Sequence, residues 1–225
     1  MQHFRGYPYY QKTTRSESFT MKVIGEGIVN AQPDEANIIL GVSTEHRELK
    51  KAQSDNAEII QKVQTALQKI GITADDIRTT EYSIYPQYDY VDNKQIFRGY
   101  KVDHLLNITV SDIQNVGAVV DTAVTNGANT IRNIEFSLSN PDAFYKRALT
   151  LAMNNALDKA ETLAGSLNIQ LIKTPLSISE IMETKPIPIP FATFQNVKAA
   201  TTTPIAPGKL QVRSMIQAIF CYYQK

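Results

Sequence analysis

The sequence predicts an α+β protein with antiparallel sheets, an opening β-hairpin and packed helices. Three observations carry that expectation. Two alternating strand patterns flank a turn at Pro33-Asp34-Glu35, and two runs of helical periodicity stop at Gly71 and at Asn126-Gly127. Five alanines, Ala148, Ala152, Ala156, Ala160 and Ala164, stand four residues apart in the longest helical stretch.

The first alternation places Met21, Val23, Gly25, Gly27, Val29 and Ala31 on one side of a strand, and the second does the same for Ala36, Ile38, Leu40 and Val42. With a proline turn between them, the pair reads as a hairpin. Leu49, Ala52, Ile59, Val63, Ala66, Leu67 and Ile70 recur at helical spacing, and Gly71 supplies the left-handed stop. Thr73-Ala74-Asp75-Asp76 forms a capped turn. Tyr82, Ile84, Pro86, Tyr88 and Tyr90 then mark an extended segment that Pro86 pushes to a sheet edge. Asp92-Asn93 turns the chain into a return strand carrying Tyr100, Val102, His104, Leu106, Ile108 and Val110 on one face.

Ser111 is positioned to cap a second helix with Ile113, Val116, Val120, Ala123 and Val124. A strand with Ile134, Phe136 and Leu138 follows, and Asn140-Pro141 opens the alanine helix with a cap and a preset first dihedral. Four residues advance a helix by about 400°, so the alanines form a shallow ridge that another element can approach closely. Tyr145, Leu149, Met153, Leu157, Leu163 and Leu167 widen the apolar face to roughly half the circumference, more than the ~100° of a one-sided helix. Contact with two surfaces is therefore expected. Leu176 and Ile178 suggest another strand, and residues 210–222 alternate as a long terminal one.

Two segments stand apart. Residues 1–19 mix tyrosines with Gly6, Pro8 and polar residues without periodicity and read as a flexible N-terminal tail. Residues 185–209 contain prolines at 186, 188, 190, 204 and 207, and this arm is expected to hold no regular structure. Phe191 and Phe194 need apolar cover, which makes an arm packed on a neighbouring subunit as reasonable as a flexible excursion.

A chain of 225 residues can bury a core without disulfide or metal. Its 23 basic and 22 acidic residues leave a net charge of +1, so no global field draws nucleic acid or an anionic membrane. Cys221 is the single cysteine and cannot form an internal bridge. No stretch approaches the ~20 apolar residues of a membrane-spanning helix, and no signal-peptide pattern opens the sequence.

Signals for chemistry are weak. Gly25-Glu26-Gly27 lies within a strand and Asn30 stands where a dinucleotide fingerprint needs glycine, so close approach of another backbone explains the glycines better than phosphate binding. Three scattered histidines and one cysteine have no zinc spacing. Ser166 lacks a G-x-S-x-G elbow, and Asp34-Glu35 and Asp75-Asp76 fit turn formation. His104 reads as an interior structural residue; a catalytic role would require Asp103 or Glu135 to converge on it. No catalytic, cofactor-binding or metal-ligating residue is assigned, and no cofactor is expected.

The ordered features together resemble the SIMPL-domain family, a group that includes bacterial envelope-associated immunogenic proteins. The resemblance runs through Val23-Ile24-Gly25-Glu26-Gly27 with Pro33-Asp34-Glu35-Ala36, Gly71-Ile72, Thr79-Thr80, Pro86-Gln87-Tyr88 and Gly99-Tyr100. It continues through Asp121, Gly127-Ala128, Ile134-Glu135-Phe136, the alanine ladder and Pro204-Ile205-Ala206-Pro207-Gly208. The resemblance implies an α+β fold, ring-like homo-oligomers and no established catalytic residues. A single domain over residues 20–225 is expected, with two intertwined αβ subdomains at about 20–110 and 111–225.

The leading functional expectation is a non-enzymatic, self-associating protein with a structural or stress-protective role. Its alanine face, terminal strand and proline-rich arm, with Phe191 and Phe194, would build subunit contacts. The alternative is a small-molecule or peptide binding module on the hairpin 82–100, where Tyr82, Tyr88, Tyr90 and Tyr100 offer apolar area with polar tips. An enzyme of unknown class comes third. The expected location, with no signal peptide in the sequence, is cytoplasmic, although family relatives are often periplasmic or secreted.

Overall fold

The computed structural model describes residues 19–181, 189–191, 203, 205 and 207–224. In chain order the elements are β1 (Phe19–Ala31), β2 (Glu35–His46), α1 (Leu49–Lys69), β3 (Ile77–Val91), β4 (Lys94–Val110), α2 (Val116–Thr125), β5 (Thr130–Ser137), α3 (Pro141–Ser166), β6 (Ile169–Leu171), β7 (Ser177–Glu180), β8 (Ile189–Phe191) and β9 (Lys209–Gln224). One sheet has the order β3-β4-β2-β5; in the other β9 lies between β1 and β6 and also pairs with β7 and β8. Helices packed on antiparallel sheets make this an α+β fold, as expected.

The chain forms two compact units, each drawn from separated segments. One contains the described residues of 29–146 and 186–212; the other contains those of 1–28, 147–185 and 213–225. The expected division at residue 111 is one in sequence order, whereas these units interleave.

In the first unit, Ala36, Ile38, Leu40 and Val42 on β2 are fully buried, and Val42 and Leu40 stand opposite His104 and Leu106 on β4. Alternation puts these side chains on one face, which α1 covers with Ala52, Asn56, Ile60, Val63 and Leu67. The helix stops as predicted. Gly71 adopts φ +98°, Gly71 N–H donates to the Gln68 carbonyl and Ile72 N–H donates to the Leu67 carbonyl, the paired bonds of a Schellman motif. Gly127, at φ +107°, ends α2 through the same two bonds, to Val124 and Ala123. The cap of the short 3₁₀ turn before α2 is Asp112 rather than Ser111; its carboxylate accepts from Gln114 N–H at 3.0 Å.

The opening hairpin requires correction. β1 pairs with β9, whereas β2 pairs with β4 and β5. The Pro33 turn is tied to the end of β5 instead of closing a hairpin: Asp34 N–H donates to the Ser137 carbonyl, and the Asp34 carboxylate accepts from Ser139 N–H and Oγ at 2.8 and 2.7 Å. The Ser139 donors hold the Asp34 carboxyl below its usual pKa.

The arm also departs from expectation. Ile189–Phe191 forms β8 and pairs with Lys209–Gln211 of β9, so 185–209 does contain regular structure. Pro190 is tolerated because β8 is a three-residue strand at the sheet's margin. Thr203 donates through N–H and Oγ1 to the Asp121 carboxylate on α2, at 3.2 and 2.6 Å, and Ile205 packs against the same unit's core. Phe194 and residues 1–18 lie outside the described residues.

In the second unit α3 lies over β1 and β9. All five ladder alanines are buried, and Ala152, Ala156 and Ala160 pack in a core with Val23, Ile216, Ala218 and Phe220, with Met21, Leu149, Met153 and Leu157 at its margin. The broad apolar face is not fully covered: Leu151, Leu163 and Leu167 remain 46–66% exposed.

Candidate functional site

The most distinctive surface belongs to the β3–β4 hairpin. Its turn, Asp92-Asn93, has φ of 50° and 61°, the positive values a type I′ connection requires. β2 stops at His46, opposite Tyr100, but β3 and β4 run on to Val91 and Lys94. Residues 87–99 therefore form a two-stranded ribbon that no third strand joins among the described residues. A ribbon of this kind is marginal alone, and here it carries exposed apolar groups: Tyr88 (44%), Tyr90 (75%), Val91 (51%), Ile96 (50%) and Phe97 (41%).

The four tyrosines singled out from the sequence do not form one cluster. Tyr88 stands opposite Phe97 with ring centroids 5.7 Å apart, and Phe97 meets Tyr100 edge-on at 5.2 Å. Tyr82 belongs to a separate contact, edge-on to His104 at 5.2 Å. Tyr90 projects from near the tip opposite Gln95. Phe191 contributes its backbone to the pairing with β9, and Phe194 is outside the described residues.

At the base of the ribbon, where β2 leaves the sheet and α1 begins, lies a crevice of about 220 Å³ lined by Glu45, His46, Arg47, Gln87, Arg98, Gly99 and Tyr100. Gly99 makes it possible: a Cβ there would stand 2.8 Å from the His46 carbonyl oxygen. Arg98 is ion-paired with Glu45 and lies 3.8 Å from Asp89, while Arg47 has no ion pair or hydrogen bond through its side chain among the described residues. His46 Nδ1 accepts from Glu48 N–H at 2.9 Å, which places the ring's proton on Nε2 in the neutral form. Sequence reasoning missed Phe97, Arg47 and Arg98; the exception to β4's alternation at Arg98-Gly99 was the available signal.

His104 is half-buried, its Nε2 is 3.1 Å from Thr79 Oγ1, and burial pushes its pKa down. The carboxylates that a catalytic reading required are elsewhere. Asp103 is its neighbour in β4 and points to the opposite face, where Lys101 pairs with it at 3.2 Å; Glu135 stands opposite Asn37, in register with that same face. Gly25 and Gly27 admit the backbone of α3, with an added Cβ falling 2.0 Å from the Ala152 carbonyl oxygen and 1.9 Å from that of Ala148. No helix among the described residues is long and apolar enough to cross a membrane.

Fold and surface define an α+β protein with interleaved units and a projecting aromatic ribbon. The chain belongs to the SIMPL family: residues 21–220 match the family described as "Protein of unknown function (DUF541)". It is 33% identical over 208 residues to the 26 kDa periplasmic immunogenic protein of Brucella melitensis biotype 1, covering 88% of this chain and 82% of that one. The 26 kDa periplasmic immunogenic protein of Brucella abortus strain S19 is equally similar, with the same coverage. The protein YggE of Escherichia coli K12, which bears the name "Uncharacterized protein", is 27% identical over 147 residues, covering 65% of this chain and 60% of that one. Neither the family description nor these names indicates a reaction. The relatives overturn the cytoplasmic expectation, since the two Brucella proteins are named for the periplasm. Absence of a leader pattern was the sole basis for that expectation, and it says nothing about where related chains reside.

Proposed function

We propose that this chain is a non-enzymatic, self-associating protein of the bacterial periplasm, with a structural or stress-protective role, and that copies meet through the β3–β4 ribbon. The compartment is taken from the names of the Brucella relatives. The observation that carries the association reading is the exposed apolar surface of residues 88–97 on a ribbon that no third strand joins among the described residues. Parts of the other surfaces considered for assembly are engaged within the chain: the ladder alanines are buried, β9 lies inside its sheet, and β8 and Ile205 return to their own unit. Burying an aromatic or branched side chain is worth roughly 1.5–3 kcal/mol, so two ribbon residues suffice to shift an assembly equilibrium by orders of magnitude. Light scattering after size exclusion tests this with the double variant Tyr90→Ser, Ile96→Ser. The expected result is a lower mass with unchanged circular dichroism. A parental mass across about a hundredfold dilution sinks the ribbon interface.

The hairpin also supports a second reading, a small-molecule or peptide binding module, because a polar crevice opens at its base. A monomeric wild-type protein would favour that reading over assembly.

A further inference from the structure

We infer that the crevice at the base of the ribbon binds the phosphate group of a small molecule. The inference does not rest on self-association. Two guanidinium groups, Arg47 and Arg98, line this concavity together with the polar side chains of Gln87, Tyr100 and His46. The planar, permanently charged fork of arginine suits the oxygens of a phosphate. Arg47 is uncommitted among the described residues. Arg98 is paired with Glu45 and, at 3.8 Å, with Asp89, but all three side chains are open to solvent, and such pairs contribute little and exchange readily. His46, with Nδ1 occupied as an acceptor, offers Nε2–H as a donor.

The neighbouring start of α1 strengthens the case without carrying it. Its first turn holds no acidic residue, Glu48 makes no capping bond through its side chain, and Arg47, Lys50 and Lys51 crowd an end that ordinarily attracts acidic groups. Of these cations Lys51 is paired, to Asp55. Glu45 is the one lining carboxylate and opposes an anion, so it tunes affinity downward. A volume of about 220 Å³ is below the roughly 300 Å³ of the smallest drug-sized pockets and limits the ligand to a small phosphorylated compound.

Isothermal titration of the full chain with inorganic phosphate and with glycerol 3-phosphate, at constant ionic strength, tests the site. One saturable site per chain is expected, weakened about tenfold or more by Arg47→Gln and by Arg98→Gln, and tightened several-fold by Glu45→Gln. Circular dichroism and a thermal midpoint unchanged in both arginine variants exclude misfolding as the cause of the losses, and the gain in Glu45→Gln is a response of opposite sign at the same crevice. No saturable binding up to about 10 mM, wild-type affinity retained in either arginine variant, or tighter binding of succinate than of phosphate each overturns the assignment. Arg47 lies outside the ribbon's apolar surface, so loss of binding in its variant with unchanged mass separates this site from the association reading.

Discussion

Gly25 of β1 lies directly against Ala152 of α3, so close that a Cβ on the glycine would stand 2.0 Å from the alanine's carbonyl oxygen and 2.8 Å from Ala156 Cβ. The strand's missing side chains and the helix's small ones are two halves of one contact. Neither half works alone: the ladder provides a shallow ridge, and only a glycine strand lets the helix backbone settle onto it.

Gly25→Ala must therefore displace backbone, and overpacking of this kind costs typically 1–3 kcal/mol, which a chemical denaturation midpoint will register. Ala156→Leu should cost a similar amount from the opposite side of the contact. Gly165→Ala is the control, because an added Cβ there meets nothing within 4 Å; it should stabilise α3 by roughly 0.5–1 kcal/mol. Equal midpoints for all three proteins would refute the contact.

A second prediction concerns Asn56, fully buried on α1. Its Nδ2 donates to the Val42 and Val102 carbonyls at 3.0 and 3.1 Å and so ties the helix to two adjacent strands. Asn56→Leu should lose about 1–3 kcal/mol. Asn56→Asp should lose more near neutral pH, because a carboxylate would face two carbonyl oxygens, and should recover as acid supplies a carboxyl O–H donor. If thermal melts show Asn56→Asp falling in parallel with Asn56→Leu at every pH, the donor role is wrong.

His104 sets a pH window. Burial lowers its pKa from 6.5, so between the folded value and 6.5 the unfolded chain holds more protons than the native one. Stability attributable to His104 is complete above pH 6.5 and declines as pH falls through the folded value. The melting temperature of the wild type, taken relative to His104→Gln, should drop on acidification from about pH 7.5 to about pH 5. A difference that stays flat or grows there contradicts the sign.

Lys159 and Asn155 guard the outer edge of β1. Lys159 Nζ donates to the Ile24 carbonyl at 2.8 Å, and Asn155 Oδ1 accepts from Glu26 N–H at 3.0 Å, so α3 occupies backbone groups that another strand would seek. The double variant Lys159→Met, Asn155→Ala should aggregate faster under mild heating, followed by light scattering, than Lys62→Met on the exposed face of α1. Indistinguishable aggregation rates would remove the guarding role.

The elements were legible because periodicity and punctuation act locally. Gly71 and Gly127 stop their helices for the conformational reason read from the sequence, and Asp92-Asn93 turns as expected. Partner choice was not legible in the same way. A Pro33-Asp34 turn serves a hairpin or a passage between sheets equally well, and the deciding groups, Ser137 and Ser139, lie about a hundred residues away. The crevice was hidden for a related reason: residues 45–47, 87 and 98–100 meet through strand register and a bulge between Gln87 and Tyr88, which no local pattern encodes. Asn56 escaped because an amide in an apolar stripe looks like a break in the pattern, when it is part of the buried face.

The position of β9 imposes an order on biosynthesis. Residues 213–224 supply the strand between β1 and β6, so the unit containing Phe19 and α3 lacks its middle until the last dozen described residues have left the ribosome. α3 can coil earlier, but its alanine ridge has no complete floor to rest on. During synthesis this unit remains an open chain for longer than its early residues would suggest, and a nascent polypeptide cut before Arg213 would lose the keystone of a sheet instead of a frayed end.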